Sequence, residues 1–235
     1  MSFFQYFGYL GISLVFTLLT PILKAQGEID LARGLVAYYS YHNQQLSSLK
    51  DAKVNPTLLS GASFTFNRFG DGESALNFDG NQQNGQIAFS PGLSIDKKDG
   101  YALSFWIRPM DDNSGCLVLK EGDYGVKWNG IRSPLSVFDG MANGFPTGKF
   151  SDWDSDRWYH IVLNKKPDEL SLFINGQLDQ KWAVKPKESV ASKSLFIGKH
   201  PYFLDVAPPV ACCLASMAPS KKPLLVVSRG QLLSC

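Results

Sequence analysis

Apolar and polar residues alternate along much of this chain with a period of two. Between Tyr101 and Arg108, Leu103, Phe105 and Ile107 fall on one side and Ser104, Trp106 and Arg108 on the other. That is the pattern of a strand with one buried face. Shorter runs behave alike. Gly34 to Tyr41 is aromatic and β-branched, Ser74 to Phe78 closes on Asp79-Gly80, and Gly85 to Phe89 closes on Pro91-Gly92. Three hairpins are predicted from turn chemistry. Asn129-Gly130 separates Tyr124–Trp128 from Ile131–Phe138, and Asn175-Gly176 separates Leu170–Ile174 from Gln177–Val184. Both residues of an Asn-Gly pair tolerate positive φ, as a two-residue hairpin turn requires. Asp168-Glu169 turns Trp158–Asn164 into Leu170–Ile174. Residues 42 to 63 are polar, contain a proline and lack a period, so a long surface loop is expected there. Downstream of residue 27 no capped segment has helical periodicity. Short strands with turns between them predict an all-β sandwich or barrel.

Composition supports one sizeable domain. Hydrophobic residues make up 44% of the 235, and aromatics 13%. The net charge of +2 leaves no electrostatic footprint for nucleic acid. Residues 1–27 read as a signal peptide: Leu10 to Leu19 is an apolar core and Ala25-Gln26-Gly27 supplies small residues for cleavage, although no Lys or Arg precedes the apolar run. The alternative is an uncleaved anchor spanning Phe3 to Leu23, the one route by which this chain would touch a membrane. Both readings place the remainder outside the cytoplasm, secreted or at the cell surface. Of the four cysteines, Cys212, Cys213 and Cys235 sit in the last 24 residues, so no disulfide framework and no zinc spacing is present. Cys116 is expected to act as a small buried hydrophobe.

Five segments in order carry a resemblance. Gly34-Leu35-Val36-Ala37-Tyr38-Tyr39, Ala75-Leu76-Asn77-Phe78-Asp79-Gly80 and Leu103-Ser104-Phe105-Trp106-Ile107-Arg108-Pro109 resemble the opening, second and central strands of bacterial laminin G-like, concanavalin A-like lectin-glucanase domains. Arg157-Trp158-Tyr159-His160-Ile161-Val162 with Leu170-Ser171-Leu172-Phe173-Ile174-Asn175-Gly176 is the most specific match, and Leu195-Phe196-Ile197-Gly198 resembles the start of the closing motifs. The resemblance implies a two-sheet antiparallel jelly-roll sandwich over residues 28–200. Residues 201–235 depart from it. They hold five of the 13 prolines, one acidic residue (Asp205) and no aromatic after Phe203. They lack the family's Asp-rich closing motif, and Pro208-Pro209 is unsuited to a central strand. The expectation is a poorly ordered tail without a closing strand, from a shifted frame, a truncated gene or genuine divergence.

Four constellations bear on chemistry. Glucanases of the family carry Glu-x-Asp-x-x-Glu on a strand, since retaining hydrolysis needs a nucleophile and an acid/base a few ångströms apart. Here Glu28-Ile29-Asp30 is followed in register by Arg33, so that set is incomplete and no catalytic residue is assigned. His160 has no nucleophile in a recognisable motif beside it and is expected as a packed or rim histidine. The resemblance implies a calcium site at one rim, for which Asp79 and Asn81 stand at the family's acidic-ligand position, with a plain Asp-Gly turn as the alternative. Aromatic rings could stack on sugar faces. Trp153 beside Asp152 and Trp128 beside Asn129 lie next to polar loops and are the ligand-binding candidates, with a lid on the core as the alternative for Trp153. Trp106, Trp158 and Trp182 lie in strands and are assigned to the core.

The function implied is a secreted, non-catalytic carbohydrate-binding or adhesion module whose partners are glycans or glycosylated surfaces. A glycoside hydrolase or lyase of the same fold is the enzymatic alternative, and would need two carboxylates on one sheet face. A protein-binding adhesion module is the third, and would show an exposed apolar patch. Fold alone does not choose among them.

Overall fold

The computed structural model of the chain describes residues 34–50, 54–79, 83–93, 100–110, 112–140, 146–185, 192–199 and 210–218. The proposed signal segment lies outside them, as does the tail apart from 210–218. The chain divides into two units, Met1–Arg33 and Gly34–Cys235, and the second carries every described strand.

Thirteen strands are described. They are β1 (Thr57–Ser60), β2 (Ser63–Thr65), β3 (Ala75–Phe78), β4 (Asn84–Ile87), β5 (Tyr101–Pro109), β6 (Gly115–Lys120), β7 (Tyr124–Trp128), β8 (Ser136–Phe138), β9 (Tyr159–Lys165), β10 (Glu169–Ile174), β11 (Gln177–Ala183), β12 (Leu195–Ile197) and β13 (Val210–Ala218). They form a six-stranded sheet in the order β1-β4-β12-β6-β7-β8 and a seven-stranded sheet in the order β11-β10-β9-β5-β13-β3-β2. Every strand pairing in both ladders is antiparallel. The architecture is an all-β jelly-roll sandwich with one core between the sheets.

The core follows from the alternation. Leu103, Phe105 and Ile107 of β5, Ile161 and Leu163 of β9 and Leu170 and Leu172 of β10 are buried against Ile87, Leu117, Val126, Val137 and Ile197 of the other sheet. At about 1.5–3 kcal/mol per fully buried large side chain, this interface is the main stabilising element.

The turns were only partly legible. Asn175 and Gly176 have φ of +51° and +78° and join β10 to β11 as the two-residue turn expected. Residues 166–168 join β9 to β10. Asn129-Gly130 is different. The β7–β8 ladder begins only at Lys127↔Ser136, so a longer loop spans 129–135. Pro134 has no N–H to give a ladder there, and Asp112 takes the Ile131 N–H at 2.7 Å, pulling the chain away from a tight turn. The opening run is extended rather than laddered: Ala37, Tyr39 and Tyr41 are buried, while only Ala37 makes a β-bridge. The expected loop of 42–63 contains β1 and the start of β2.

The largest correction concerns the tail. Val210–Ala218 is a central strand, paired through eight residues with β5 and through three with β3. Pro208-Pro209 ends just before it, so neither proline interrupts a ladder.

Candidate functional site

The placement of Trp128 and Trp153 reverses the sequence expectation, whereas Trp182 packs against the core as expected. Trp128 and Trp153 are 0% and 3% exposed and meet edge-on, ring centroids 5.2 Å apart. Trp153 also packs against Phe150 at 4.6 Å and Tyr159 at 4.9 Å, and its indole N–H donates to the Ser133 carbonyl at 3.0 Å. Neither offers a ring face to a sugar. Asn129 is occupied too: its amide donates to the Pro134 carbonyl and to Ser136 Oγ, both at 2.7 Å. Asp152 is exposed beside this plug. Polar neighbours in sequence do not report where an indole points; the loop simply folds Trp153 inward to close the end of the core.

The chemistry-bearing face lies on the seven-stranded sheet, on the side opposite the core. Cross-strand register sets Trp106 against His160 and Ser104 against Val162, while Leu103, Phe105 and Ile107 turn inward. His160 stacks on Trp106 with centroids 4.8 Å apart and an 18° interplanar angle, and shares a 2.8 Å hydrogen bond with Ser104 Oγ. The Arg68 guanidinium lies 4.2 Å from the Trp106 centroid and 3.9 Å from that of Phe69. Phe69, Arg68, Trp106 and His160 thus form a continuous stack. Arg108 sits two residues along β5, its guanidinium 5.7 Å from the Trp158 ring. Trp106, Trp158 and His160 are half-buried.

The loop that brings Arg68 here is preorganised. Asn67, only 4% exposed, accepts the Phe69 and Asp71 N–H groups on Oδ1 at 2.9 and 3.1 Å and donates to Asp71 Oδ2 at 2.9 Å. Gly70, at φ +89°, takes the left-handed position that the turn requires. Phe66 and Phe69 stay 58% and 43% exposed at its rim. Two polar atoms on this face are buried without a partner among the described residues, Arg108 Nε and Asn164 Oδ1.

Burial, then the nearby Arg68 charge, lowers the His160 pKa from 6.5 to about 4. The unfolded chain binds this proton near 6.5 and the folded chain only near 4, so stability is full above 6.5 and falls as pH drops through that window. At 1.36 kcal/mol per unit the limit is about 3 kcal/mol, and partial exposure brings it to about 1–2 kcal/mol. His160→Gln should flatten the fall in urea midpoint between pH 6.5 and 4. An unchanged slope in the variant would assign the effect elsewhere.

Across the described strands from β2 to β9 and on β13, no carboxylate occupies this face. Glu169 of β10 is the nearest on the sheet, and its carboxylate is committed. Ser171 Oγ donates to it at 2.9 Å, Lys181 at 3.1 Å and Lys166 at 3.4 Å, and these contacts, Ser171 first, hold its pKa below the usual value. A shallow depression of about 370 Å³ beside it is lined by the same paired charges.

At the proposed calcium rim, Asp79 is exposed and its backbone N–H donates to Gln83 Oε1 at 2.9 Å. Asn81 lies outside the described residues. Among those residues no three His, Cys, Asp or Glu side chains gather to hold a metal.

Residues 56–210 match the family described as the concanavalin A-like lectin/glucanases superfamily, about two-thirds of the chain. The chain belongs to that superfamily. No curated protein matches the sequence. Among solved structures, the receptor binding domain of botulinum neurotoxin C/D mosaic serotype superposes with a TM-score of 0.67 at 12% identity, covering 86% of this chain and 52% of that one. Domain 4 of AbnA, an extracellular arabinanase from Geobacillus stearothermophilus solved with arabinotriose, gives 0.58 at 17% identity, covering 80% and 95%. Trypanosoma rangeli sialidase, solved as a covalent intermediate with 2,3-difluorosialic acid, gives 0.60 at 12% identity, covering 83% and 32%. The lectin/glucanase-like chain spans about half the length of the toxin domains. These likenesses are of fold, and this superfamily houses both binding modules and glycosidases.

Proposed function

We propose that this chain is an exported, non-catalytic carbohydrate-binding module. The observation that carries the reading is the outer face of the seven-stranded sheet, where planar groups, hydroxyls and amides stand together without a pair of carboxylates. Sugar C–H faces stack on aromatic rings, and sugar hydroxyls bond to amides, hydroxyls and guanidinium groups. Hydrolysis in this superfamily needs two carboxyl groups about 5–10 Å apart, and Glu169 has none opposite it among the described residues of the face. The fold's occurrence in a domain solved with arabinotriose supports the same direction. Export rests on the apolar segment and small-residue site within residues 1–27.

A glycan array probed with the chain lacking residues 1–27, with and without calcium, is the test. Binding to at least one glycan class is expected, and Phe69→Ala with Trp158→Ala should weaken it at least tenfold without changing the unfolding midpoint by more than a few degrees. Release of reducing sugar from any bound glycan, abolished by an Asp or Glu substitution, would replace this reading with the enzymatic one.

A further inference from the structure

We propose that Asn175 is a deamidation site, a covalent timer in the β10–β11 turn that loosens the His160 end of β9 as the protein ages. The inference is independent of what the chain binds.

Deamidation at an Asn-Gly pair has clear structural requirements. The glycine N–H must be free to lose its proton, because its nitrogen is the nucleophile. The glycine puts no Cβ in the way of ring closure. The Asn side-chain carbonyl must be polarised, and its amide must be free to leave. Water is the one co-reactant. Gly176 N bonds to Asn175 Cγ, its proton passes to solvent, the Cγ–Nδ2 bond breaks, and Nδ2 departs as ammonia. Water then opens the succinimide. Attack at Cγ breaks the new bond to Gly176 N and leaves aspartate. Attack at the Asn175 main-chain carbonyl breaks the original peptide bond and leaves isoaspartate, with the chain running through Cγ.

The described residues contain three Asn-Gly pairs, at 84–85, 129–130 and 175–176, and Asn143-Gly144 lies outside them. The pair at 175–176 meets every requirement. Asn175 is exposed, and neither its Nδ2 nor the Gly176 N–H has a hydrogen-bond partner among the described residues. The His160 N–H donates to Asn175 Oδ1 at 2.9 Å. That donor is aimed at the oxygen that turns negative in the tetrahedral intermediate, as in an oxyanion hole.

The other two pairs are blocked. Asn129 commits its amide to the Pro134 carbonyl and Ser136 Oγ, both at 2.7 Å, so its leaving group is held. The Asp112 carboxylate packs against Gly130 and opposes negative charge on the attacking nitrogen. Asn84 is 6% exposed, and Gly85 is laddered in β4 between β1 and β12.

The two products differ in consequence. Asn175 and His160 are tied twice, since the Asn175 N–H also donates to the His160 carbonyl at 2.8 Å. Aspartate keeps both ties, and Asp-Gly favours the same two-residue turn. Isoaspartate adds a main-chain atom to a turn whose φ values are fixed at +51° and +78°, and takes the acceptor carbonyl into the main chain. The end of β9 where His160 stacks on Trp106 then loses its anchor.

The test follows the full chain at pH 8 and 37 °C by tryptic peptide mapping, with fragmentation that separates aspartate from isoaspartate. The rate at each site in the folded chain is divided by its rate in urea, where sequence alone acts. That ratio should be about tenfold or more higher at Asn175 than at Asn84 or Asn129. Comparable ratios at all three sites would overturn the assignment. Asn175→Asp should unfold within a few degrees of wild type, and the purified isoaspartyl form should unfold lower. An isoaspartyl form as stable as Asn175→Asp would overturn the loosening of β9.

Discussion

Ending the chain at Lys199 should abolish cooperative folding. β13 fills the slot between β5 and β3, so its removal splits the seven-stranded sheet and detaches β2 and β3 from the remaining four strands. Eight residue pairs with β5 and three with β3 disappear. That strips on the order of ten ladder hydrogen bonds, each worth about 1 kcal/mol net, before counting exposed core. Whole-domain stability is roughly 5–15 kcal/mol, so the loss consumes most or all of it. The strand edges left behind would also template aggregation. Urea unfolding followed by tryptophan fluorescence should show a broad, low-midpoint transition or none. A point substitution gives a milder version. Cys212 is paired on both sides, with Ile107 and with Leu76. Cys212→Pro there removes a ladder donor and should cost several kcal/mol. If the truncated chain instead unfolds with the midpoint and steepness of the full one, β13 contributes nothing and the tail is dispensable.

That strand shows where sequence reading ends. Val210-Ala-Cys-Cys-Leu-Ala-Ser-Met-Ala218 has no clean apolar–polar alternation to announce a strand, and its place between β5 and β3 is set by long-range backbone pairing that no local pattern encodes. The preceding prolines disguised it further, although a proline just outside a strand obeys the same rule as one excluded from its middle. By contrast Leu103, Phe105 and Ile107 were legible, since one face of β5 meets the core and the other does not. Asn175-Gly176 was legible because its conformation is local, whereas the Asn129-Gly130 loop is set by Asp112, which lies 19 residues from Ile131 in sequence. The site followed the same division. Ser104, Trp106 and Arg108 were placed together on one face by parity alone. That Arg68 stacks on Trp106 depends on β13 bringing β3 within reach, and no local pattern encodes that. The choice of Trp128 and Trp153 failed because burial of an indole depends on the chain packed over it.

Removing the carboxylate at Asp123 should destabilise the chain by about 3–5 kcal/mol. Lys120 and Asp123 flank the β6–β7 turn, and both side chains are 1% exposed in the ion pair they form. The turn itself is tight, with the Asp123 N–H donating to the Lys120 carbonyl at 3.0 Å and Gly122 at φ +78°. The pair lies among aromatic rings: Tyr124 and Tyr101 stand 5.1 Å apart, and burial raises both phenol pKa values, keeping the hydroxyls neutral. A second buried lysine, Lys165, meets Asp139 at 3.3 Å, and Asp139 also accepts from the Tyr101 hydroxyl at 3.4 Å. In such surroundings an ammonium that loses its carboxylate stays desolvated and uncompensated, which costs more than the pair gained on forming. Asp123→Ala therefore isolates that penalty. Replacing both charges, Lys120→Met with Asp123→Leu, removes the orphan as well as the pair and should recover most of the stability, since well-packed apolar pairs often match buried ion pairs. The ordering of three urea midpoints is the measurement, with wild type and the double variant close together and Asp123→Ala well below. A single variant within about 1 kcal/mol of wild type would show that water reaches Lys120, and that the pair is a surface contact despite its burial.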